Sequence, residues 1–167
     1  MNIAHLHLAL NHFPVVGSII VALLFALALR RRSDELGRAA LLLAALVGAV
    51  SIAVYFTGEP AEELIERLPG VSEAVTEQHE EAALVATLVV GALGALSAVV
   101  LGMHRGHRAL SRRTTGAALA LALVACGAMG YTAFLGGQVR HTEIRSGATA
   151  ARGGGAPVAA ESDDDNR

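Results

Sequence analysis

Four long stretches free of Asp, Glu and Arg divide the chain, which contains no Lys at all. They cover residues 8–29, 39–57, 82–101 and 115–135. Each has about the 20 residues needed to cross the hydrocarbon core of a bilayer. Because backbone groups in lipid must be hydrogen-bonded internally, each stretch is expected to be a helix. We therefore predict an all-α fold, a four-helix transmembrane bundle embedded in a lipid bilayer.

Composition supports a membrane protein and excludes several other classes. Hydrophobic residues make up 53% of the chain and charged residues only 17%, whereas soluble domains have about 25% charged residues. The single cysteine, Cys126, excludes an internal disulfide, and the absence of a C-x-x-C-H run excludes a covalently attached c-type haem. We find no nucleophile–base pair, no phosphate loop and no sign of nucleic-acid binding, so an enzyme has little support.

The charged residues predict how the bundle is oriented. Eight of the thirteen arginines lie in "RRRSDELGR" and "MHRGHRALSRR", which join the first two and the last two spans. Residues 58–81, between spans two and three, hold eight glutamates and only one arginine, Arg67. Short Arg-rich loops stay in the cytoplasm. This pattern predicts a multi-pass protein of the bacterial inner membrane with both termini and the acidic segment outside.

The acidic segment is expected to contain a short extra helix, near residues 61–68. Gly58 is a candidate left-handed end for span two, and Pro60 suits the first turn of the extra helix. The "LPG" at 68–70 should end it, and Ser72 should cap one long helix to about residue 102. The last span is expected to stop at Gly136-Gly137. Residues 1–145 then form the membrane domain, and the low-complexity residues 146–167 form a disordered outer tail.

The predicted topology places the histidines on two different sides of the membrane. Two, His104 and His107, fall in an Arg-rich loop and are expected to be part of a solvated basic surface. The other five fall on the outer side: His5, His7, His12, His79 and His141.

Three of the outer histidines come from three different helices and are predicted to converge. His12 lies just inside the hydrocarbon edge, where Pro14 frees a backbone carbonyl and kinks or starts the helix. An ionisable group at this depth needs a partner. His79, whose helical face is otherwise small and apolar, is the nearest candidate, and His141 can fold back over the same rim.

This cluster predicts a cofactor site, because imidazole is a ligand for haem iron and for divalent metals. The candidate ligands are His12, His79 and His141, with Asn11 orienting a ligand. The bound group would be b-type haem or a divalent metal ion. The alternative is that these histidines are only polar helix caps at the membrane interface. A di-iron site is disfavoured, because Glu77 and His79 are two residues apart and cannot share a helix face.

The segment "HLALNHFPVVG", His7 to Gly17, resembles the opening of the bacterial four-helix membrane proteins of unknown-function domain family 2231. That family begins with two histidines five residues apart, followed by an aromatic or apolar residue and Pro, which His7, His12, Phe13 and Pro14 match. His79 resembles the family's histidine near span three, and "GGQVRH" resembles its ending. The resemblance covers about residues 5–145 and marks a distinct subgroup. It implies the topology above and brings no established activity.

These features lead to three functional hypotheses. The first is an electron-transfer or accessory subunit with the outer histidine site. The second is a cofactor-free structural or assembly subunit that docks a membrane-protein partner, or another copy of itself, through Gly/Ala faces. The third, a cation or proton carrier, is disfavoured because no charged residue lies at mid-depth in any span.

Overall fold

The computed structural model describes residues 2–65, 68–104 and 109–145. Within these residues the chain forms six α-helices and a short 3₁₀ turn, Thr142–Ile144, and no strand. The helices are α1 (Ile3–Leu10), α2 (His12–Arg31), α3 (Asp34–Tyr55), α4 (Gly58–Glu62), α5 (Glu73–Met103) and α6 (Arg112–Arg140). The predicted disordered tail, residues 146–167, and the predicted role of His107 fall outside the described residues.

Four long helices form a closed ring. Helix α2 packs against α3 and α6, and α5 packs against the same two helices from the other side. All four spans, with α1 and α2 together forming the first, are long and apolar enough to cross a membrane. Large side chains such as Leu23 and Leu88, each 64% exposed, cover the outside of the ring. This apolar surface suits lipid contact and confirms the predicted four-helix membrane bundle.

Small residues let the helices approach closely at the centre of the bundle. A Cβ added to Gly48 of α3 would lie 3.0 Å from the Cα of Gly94 in α5 and 3.1 Å from the Val90 carbonyl oxygen. A Cβ added to Gly94 would meet Gly48 equally closely. The two backbones are therefore in direct contact where α3 and α5 cross. Phe25 from α2, only 1% exposed, is among the largest side chains in the core.

The first span is divided at Asn11, as Pro14 led us to expect. Helix α1 begins at the side chain of Asn2, which accepts the His5 backbone N–H at 3.0 Å. Helix α2 begins at His12, so Pro14 lies in its first turn, where a missing backbone N–H removes little. Helix α1 packs mainly against α4, so the short helices lie together over one end of the ring.

The two ends of the bundle differ in chemistry. We call one the histidine end, defined by His7, Thr57, His79, Thr132 and Gly136, and the other the arginine end, defined by Arg30, Arg31, Arg32, Arg112 and Arg113. Five of the six aromatic residues are exposed near the histidine end: Phe13, Tyr55, Phe56, Tyr131 and Phe134. Aromatic side chains gather at membrane–water interfaces, so this belt marks the level of one interface.

Several predicted helix bounds are confirmed and others are corrected. Helix α5 follows Ser72 and runs unbroken to Met103, as predicted. The extra helix exists but is Gly58–Glu62, earlier than the predicted residues 61–68, two of which lie outside the described residues. Gly58 starts α4 rather than ending α3 in a left-handed cap. Gly70, with φ 85°, makes the left-handed turn instead.

The predicted helix stop at Gly136-Gly137 was wrong, because α6 continues to Arg140. Both glycines remain within the helix. Gly136 packs against the ring of His79, where a Cβ would lie 2.9 Å from the ring Cε1. The glycine at this position therefore makes room for a neighbouring side chain and does not terminate the helix.

Candidate histidine site

Two of the six histidines in the described residues make hydrogen bonds across helices. His7 bonds a residue 50 positions away and His79 one 53 positions away. The other four bond within their own helix or turn, through Asn2 Oδ1, the Leu8 carbonyl, the Val100 carbonyl and Glu143 Oε1: His5, His12, His104 and His141. This contrast separates His7 and His79 from histidines that merely cap a turn.

The ring of His7 is held by the segment that joins α3 to α4. Its Nδ1 lies 2.9 Å from Thr57 Oγ1, and Thr57 Oγ1 lies 2.6 Å from the Val54 carbonyl oxygen. A carbonyl can only accept, so the hydroxyl proton of Thr57 goes to Val54 and its oxygen accepts from His7. The proton of the neutral imidazole is thereby assigned to Nδ1 of His7.

The ring of His79 is held by α6. Its Nδ1 lies 3.0 Å from the carbonyl oxygen of Thr132, and the His79 side chain is half-buried. Because this partner can only accept, the neutral ring also carries its proton on Nδ1. Gly136, one turn further along α6, lies against the same ring. Helix α6 therefore fixes both the orientation and the tautomer of His79.

The two rings lie at the same end of the bundle, because α1 packs against α4 over the end at which α6 holds His79. A positive charge on His79 would repel one on His7. Gly58 leaves space beside His7, since a Cβ there would lie 3.7 Å from the ring Cε1. The four glutamates in the first turns of α5 are exposed to solvent, as predicted: Glu73, Glu77, Glu80 and Glu81.

The arrangement leaves one nitrogen on each ring available. Across the described residues, no hydrogen bond reaches Nε2 of His7 or of His79, so each presents a lone pair. Histidines that bind metals usually donate their other ring N–H to a carbonyl, carboxylate or water, which sets the tautomer and raises the basicity of the ligating nitrogen. His79 has this second-shell arrangement with a carbonyl, and His7 has it with a hydroxyl.

The other residues predicted for the site are placed differently. His12 is exposed, and its Nδ1 lies 3.0 Å from the Leu8 carbonyl of the preceding turn. His141 is exposed, with its Nδ1 2.8 Å from Glu143 Oε1. Asn11 occupies the cap position of α2 without a side-chain capping bond. Within residues 2–65, 68–104 and 109–145, no three His, Cys, Asp or Glu side chains form a group that could hold a metal ion.

His7, which was not among the predicted ligands, makes a cross-helix hydrogen bond at this end of the bundle, whereas the predicted His12 bonds only its own preceding turn. At 3.6 residues per turn, residues five apart on one continuous helix point about 140° away from each other, so histidines at this spacing do not share a helix face. A spacing of seven returns to the same face, and Pro14, Val21 and Ala28 are buried. His7 lies seven residues before Pro14, on the other side of the division at Asn11.

A ring of four apolar helices that are each able to cross a membrane defines an integral membrane protein. Over residues 4–144 the chain matches the family described as "Predicted membrane protein (DUF2231)". The chain therefore belongs to this family, and the resemblance noted in its opening segment is confirmed. No curated protein matches the chain, and no solved structure does.

Proposed function

We propose that this membrane protein uses His7 and His79 to bind b-type haem or a divalent metal ion, and that it works as an electron-transfer or accessory subunit. The observation that carries the proposal is the pair of cross-helix Nδ1 hydrogen bonds, which hold two half-buried rings with Nε2 free. A ring used only as a helix cap needs no partner from another helix. A hydrogen bond that fixes the second ring nitrogen is typical of histidines that ligate metals.

We propose that the protein lies in the bacterial inner membrane with the histidine end outside. The support is the distribution of arginine: five exposed arginines of α2 and α6 lie at the opposite end, and short Arg-rich loops favour the cytoplasm. Both termini are then outside. A fluorescent reporter that folds only in the cytoplasm should stay dark when fused to the C-terminus. A bright fusion would reverse the orientation and place the histidine end inside.

The number of histidines bears on the choice of ligand. Haem iron needs at most two protein ligands, one on each face. A structural zinc site usually has four protein ligands and a catalytic one three. A two-histidine site thus matches the ligand count of b-type haem directly, whereas a divalent metal bound by His7 and His79 would need water or a partner to complete its shell.

The wider set of ligands predicted from the sequence remains a prediction. For His12 to join His79, its ring would have to leave the Leu8 carbonyl and turn inward. His141 would have to leave Glu143, and Asn11 would then be placed to orient a ligand. These three residues therefore supply control variants for the pair formed by His7 and His79.

The test is a visible absorption spectrum and elemental analysis of the detergent-purified protein. We expect a Soret band, or about one metal ion per chain. Either signal should be lost in His7→Ala and in His79→Ala but retained in the matched double variant His12→Ala/His141→Ala. Loss in the double variant alone would transfer the site to the wider set. Absence of both haem and metal from the unaltered protein would contradict the cofactor proposal.

A cofactor-free structural or assembly subunit is the second candidate, and one observation favours it. Gly127 and Gly130 of α6 are exposed, and a Cβ added to either would meet nothing within 4 Å. Exposed glycines on a span allow another helix to approach closely, from a membrane-protein partner or a second copy of the chain. Gly127→Leu/Gly130→Leu should then abolish in-membrane crosslinking to that partner. Unchanged crosslinking would contradict docking through this face.

A further inference from the structure

A cavity of about 240 Å³ lies at the arginine end, far from the histidine site. It is open to the surface and lies between the end of α2, the start of α3 and the start of α6. Its polar lining includes Arg32, Asp34, Arg112 and Thr115, and its apolar lining includes Leu29 and Leu110. Small-molecule pockets usually measure about 300–1,000 Å³, so this cavity suits a headgroup better than a whole soluble ligand.

The cavity carries uncompensated positive charge. In the part of the chain that the structure describes, neither Arg32 nor Arg112 has an ion pair or hydrogen bond. The one acidic residue in the lining, Asp34, is already engaged: its Oδ1 accepts the Leu110 backbone N–H at 2.6 Å and its Oδ2 accepts Arg38 Nε at 2.8 Å. Two guanidinium groups therefore flank the cavity, and the nearby carboxylate is occupied elsewhere.

Arg32 adopts a backbone conformation that normally selects glycine. Its φ is 53°, and it ends α2 as a left-handed cap. It is the only non-glycine residue with positive φ among those the structure describes. Left-handed helix ends usually hold Gly or Asn, and backbone strain tends to be kept where a side chain has a use. Here the residue with the strained backbone, Arg32, is one of the two arginines that line the cavity.

We propose that this cavity binds the headgroup phosphate of an anionic phospholipid. Guanidinium groups hold phosphate through paired, charge-assisted hydrogen bonds, and basic pockets between membrane helices on the cytoplasmic side take anionic headgroups. The phospholipid is favoured over a soluble phosphate because the cavity lies where the apolar spans end. Its own apolar lining would contact the glycerol and the first acyl carbons.

The experiment uses the full chain in detergent, with bound lipid counted by native mass spectrometry during titration with phosphatidylglycerol or phosphatidylcholine. We expect one phosphatidylglycerol to be retained in preference to phosphatidylcholine. Arg32→Gln/Arg112→Gln should weaken its binding about tenfold or more. The control Arg30→Gln/Arg113→Gln removes the same charge from the same end, outside the cavity lining, and should leave binding within about threefold, less than the 1.4 kcal/mol that a tenfold change represents.

A second variant separates lipid binding from folding. Arg32→Gly relieves the left-handed strain, so it should unfold no earlier than the unaltered protein while losing affinity for phosphatidylglycerol. The proposal is overturned if both double variants lose binding equally, since that would indicate diffuse attraction. It is also overturned if phosphatidylcholine binds as well, or if soluble glycerol phosphate displaces the lipid. All these outcomes are independent of the haem or metal result.

Discussion

The two ends of the bundle hold polar side chains at the edge of a membrane in different ways. At the arginine end a carboxylate crosslinks the elements: Asp34 holds Leu110 and Arg38, and Arg38 reaches the His104 carbonyl at 3.0 Å. At the histidine end neutral imidazoles do so, through Thr57 and Thr132. The first arrangement satisfies its central group fully, whereas the second leaves Nε2 of each ring available. The arginine end therefore links α3 to His104 and Leu110 through Asp34 and Arg38, whereas the histidine end links its helices through two imidazole rings that each keep one nitrogen without a hydrogen bond among the described residues.

The largest effect should come from the crossing on which both ends depend. Gly48→Ala places a methyl group 3.0 Å from the Gly94 Cα, where only backbone can yield. We expect a loss of about 1–3 kcal/mol from overpacking, measured by unfolding in a mixed-detergent titration. Gly127→Ala, with open space around its Cβ, is the control and should lose nothing. Equal stability of the two variants would show that α3 and α5 do not cross this closely.

The next effect concerns the arginine end alone. Asp34→Ala removes the acceptor for Leu110 and the ion-pair partner of Arg38. Hydrogen bonds to a charged group contribute about 1.5–3 kcal/mol, and partial exposure reduces this, so we expect a loss of about 1–2 kcal/mol. The neighbouring Glu35→Ala removes the same charge from the same helix turn and serves as the control. Any change in the absorption spectrum or metal content of Asp34→Ala would show that the arginine end and the histidine end are not independent.

A smaller effect is expected from the hydroxyl that holds His7. Thr57→Val keeps the side-chain shape but removes the acceptor of His7 and the donor to Val54. The expected loss is about 0.5–1.5 kcal/mol, the usual net contribution of a hydrogen bond. Thr57→Ser restores the hydroxyl and should recover both stability and ligand content. Failure of the serine variant to recover them would mean that the methyl group, rather than the hydroxyl, matters here.

The smallest effect on stability is expected for Gly136→Ala. Alanine favours a helix over glycine by about 1 kcal/mol, and this gain offsets the displaced ring of His79 and its weakened bond to Thr132. Net stability should therefore change little while ligand content falls. Gly130→Ala, with no neighbour within 4 Å of its Cβ, should keep its full ligand content. Loss in both variants would point to helix propensity rather than to the ring contact.

Most of the fold could be predicted from the order of apolar, charged and helix-breaking residues along the chain. The lengths of the uncharged apolar stretches predicted the four spans. Pro14 and Ser72 correctly indicated the division of the first span and the start of α5. The prediction of a helix stop at Gly136 was wrong, because a glycine that makes room for a neighbouring side chain looks the same in sequence as one that ends a helix. Only the position of His79, 57 residues earlier in the chain by numbering, distinguishes the two roles.

Of the three histidines predicted as ligands, only His79 makes a cross-helix hydrogen bond in the described part of the chain, and its role as a ligand stays a prediction. His79 was placed inward from its own helical face, and the structure places it there. His12 was predicted as a ligand from its depth, whereas in the structure His7 bonds Thr57 and His12 bonds only the Leu8 carbonyl of the preceding turn. The roles of Thr57 and Thr132 were not foreseen, because a hydroxyl and a backbone carbonyl carry no sequence signal until the helices are packed.

The central claim is that Nε2 of His7 and Nε2 of His79 are the ligating atoms at the histidine end. Nitrogen-15 NMR of the histidine-labelled, ligand-free protein tests it most directly, with assignments made by single histidine variants. We predict Nδ1-protonated rings for both residues, and Nε2 signals that shift on adding haem or Zn²⁺ while those of His12 and His141 stay in place. An Nε2 proton on either ring, or shifts confined to His12 and His141, would contradict the account.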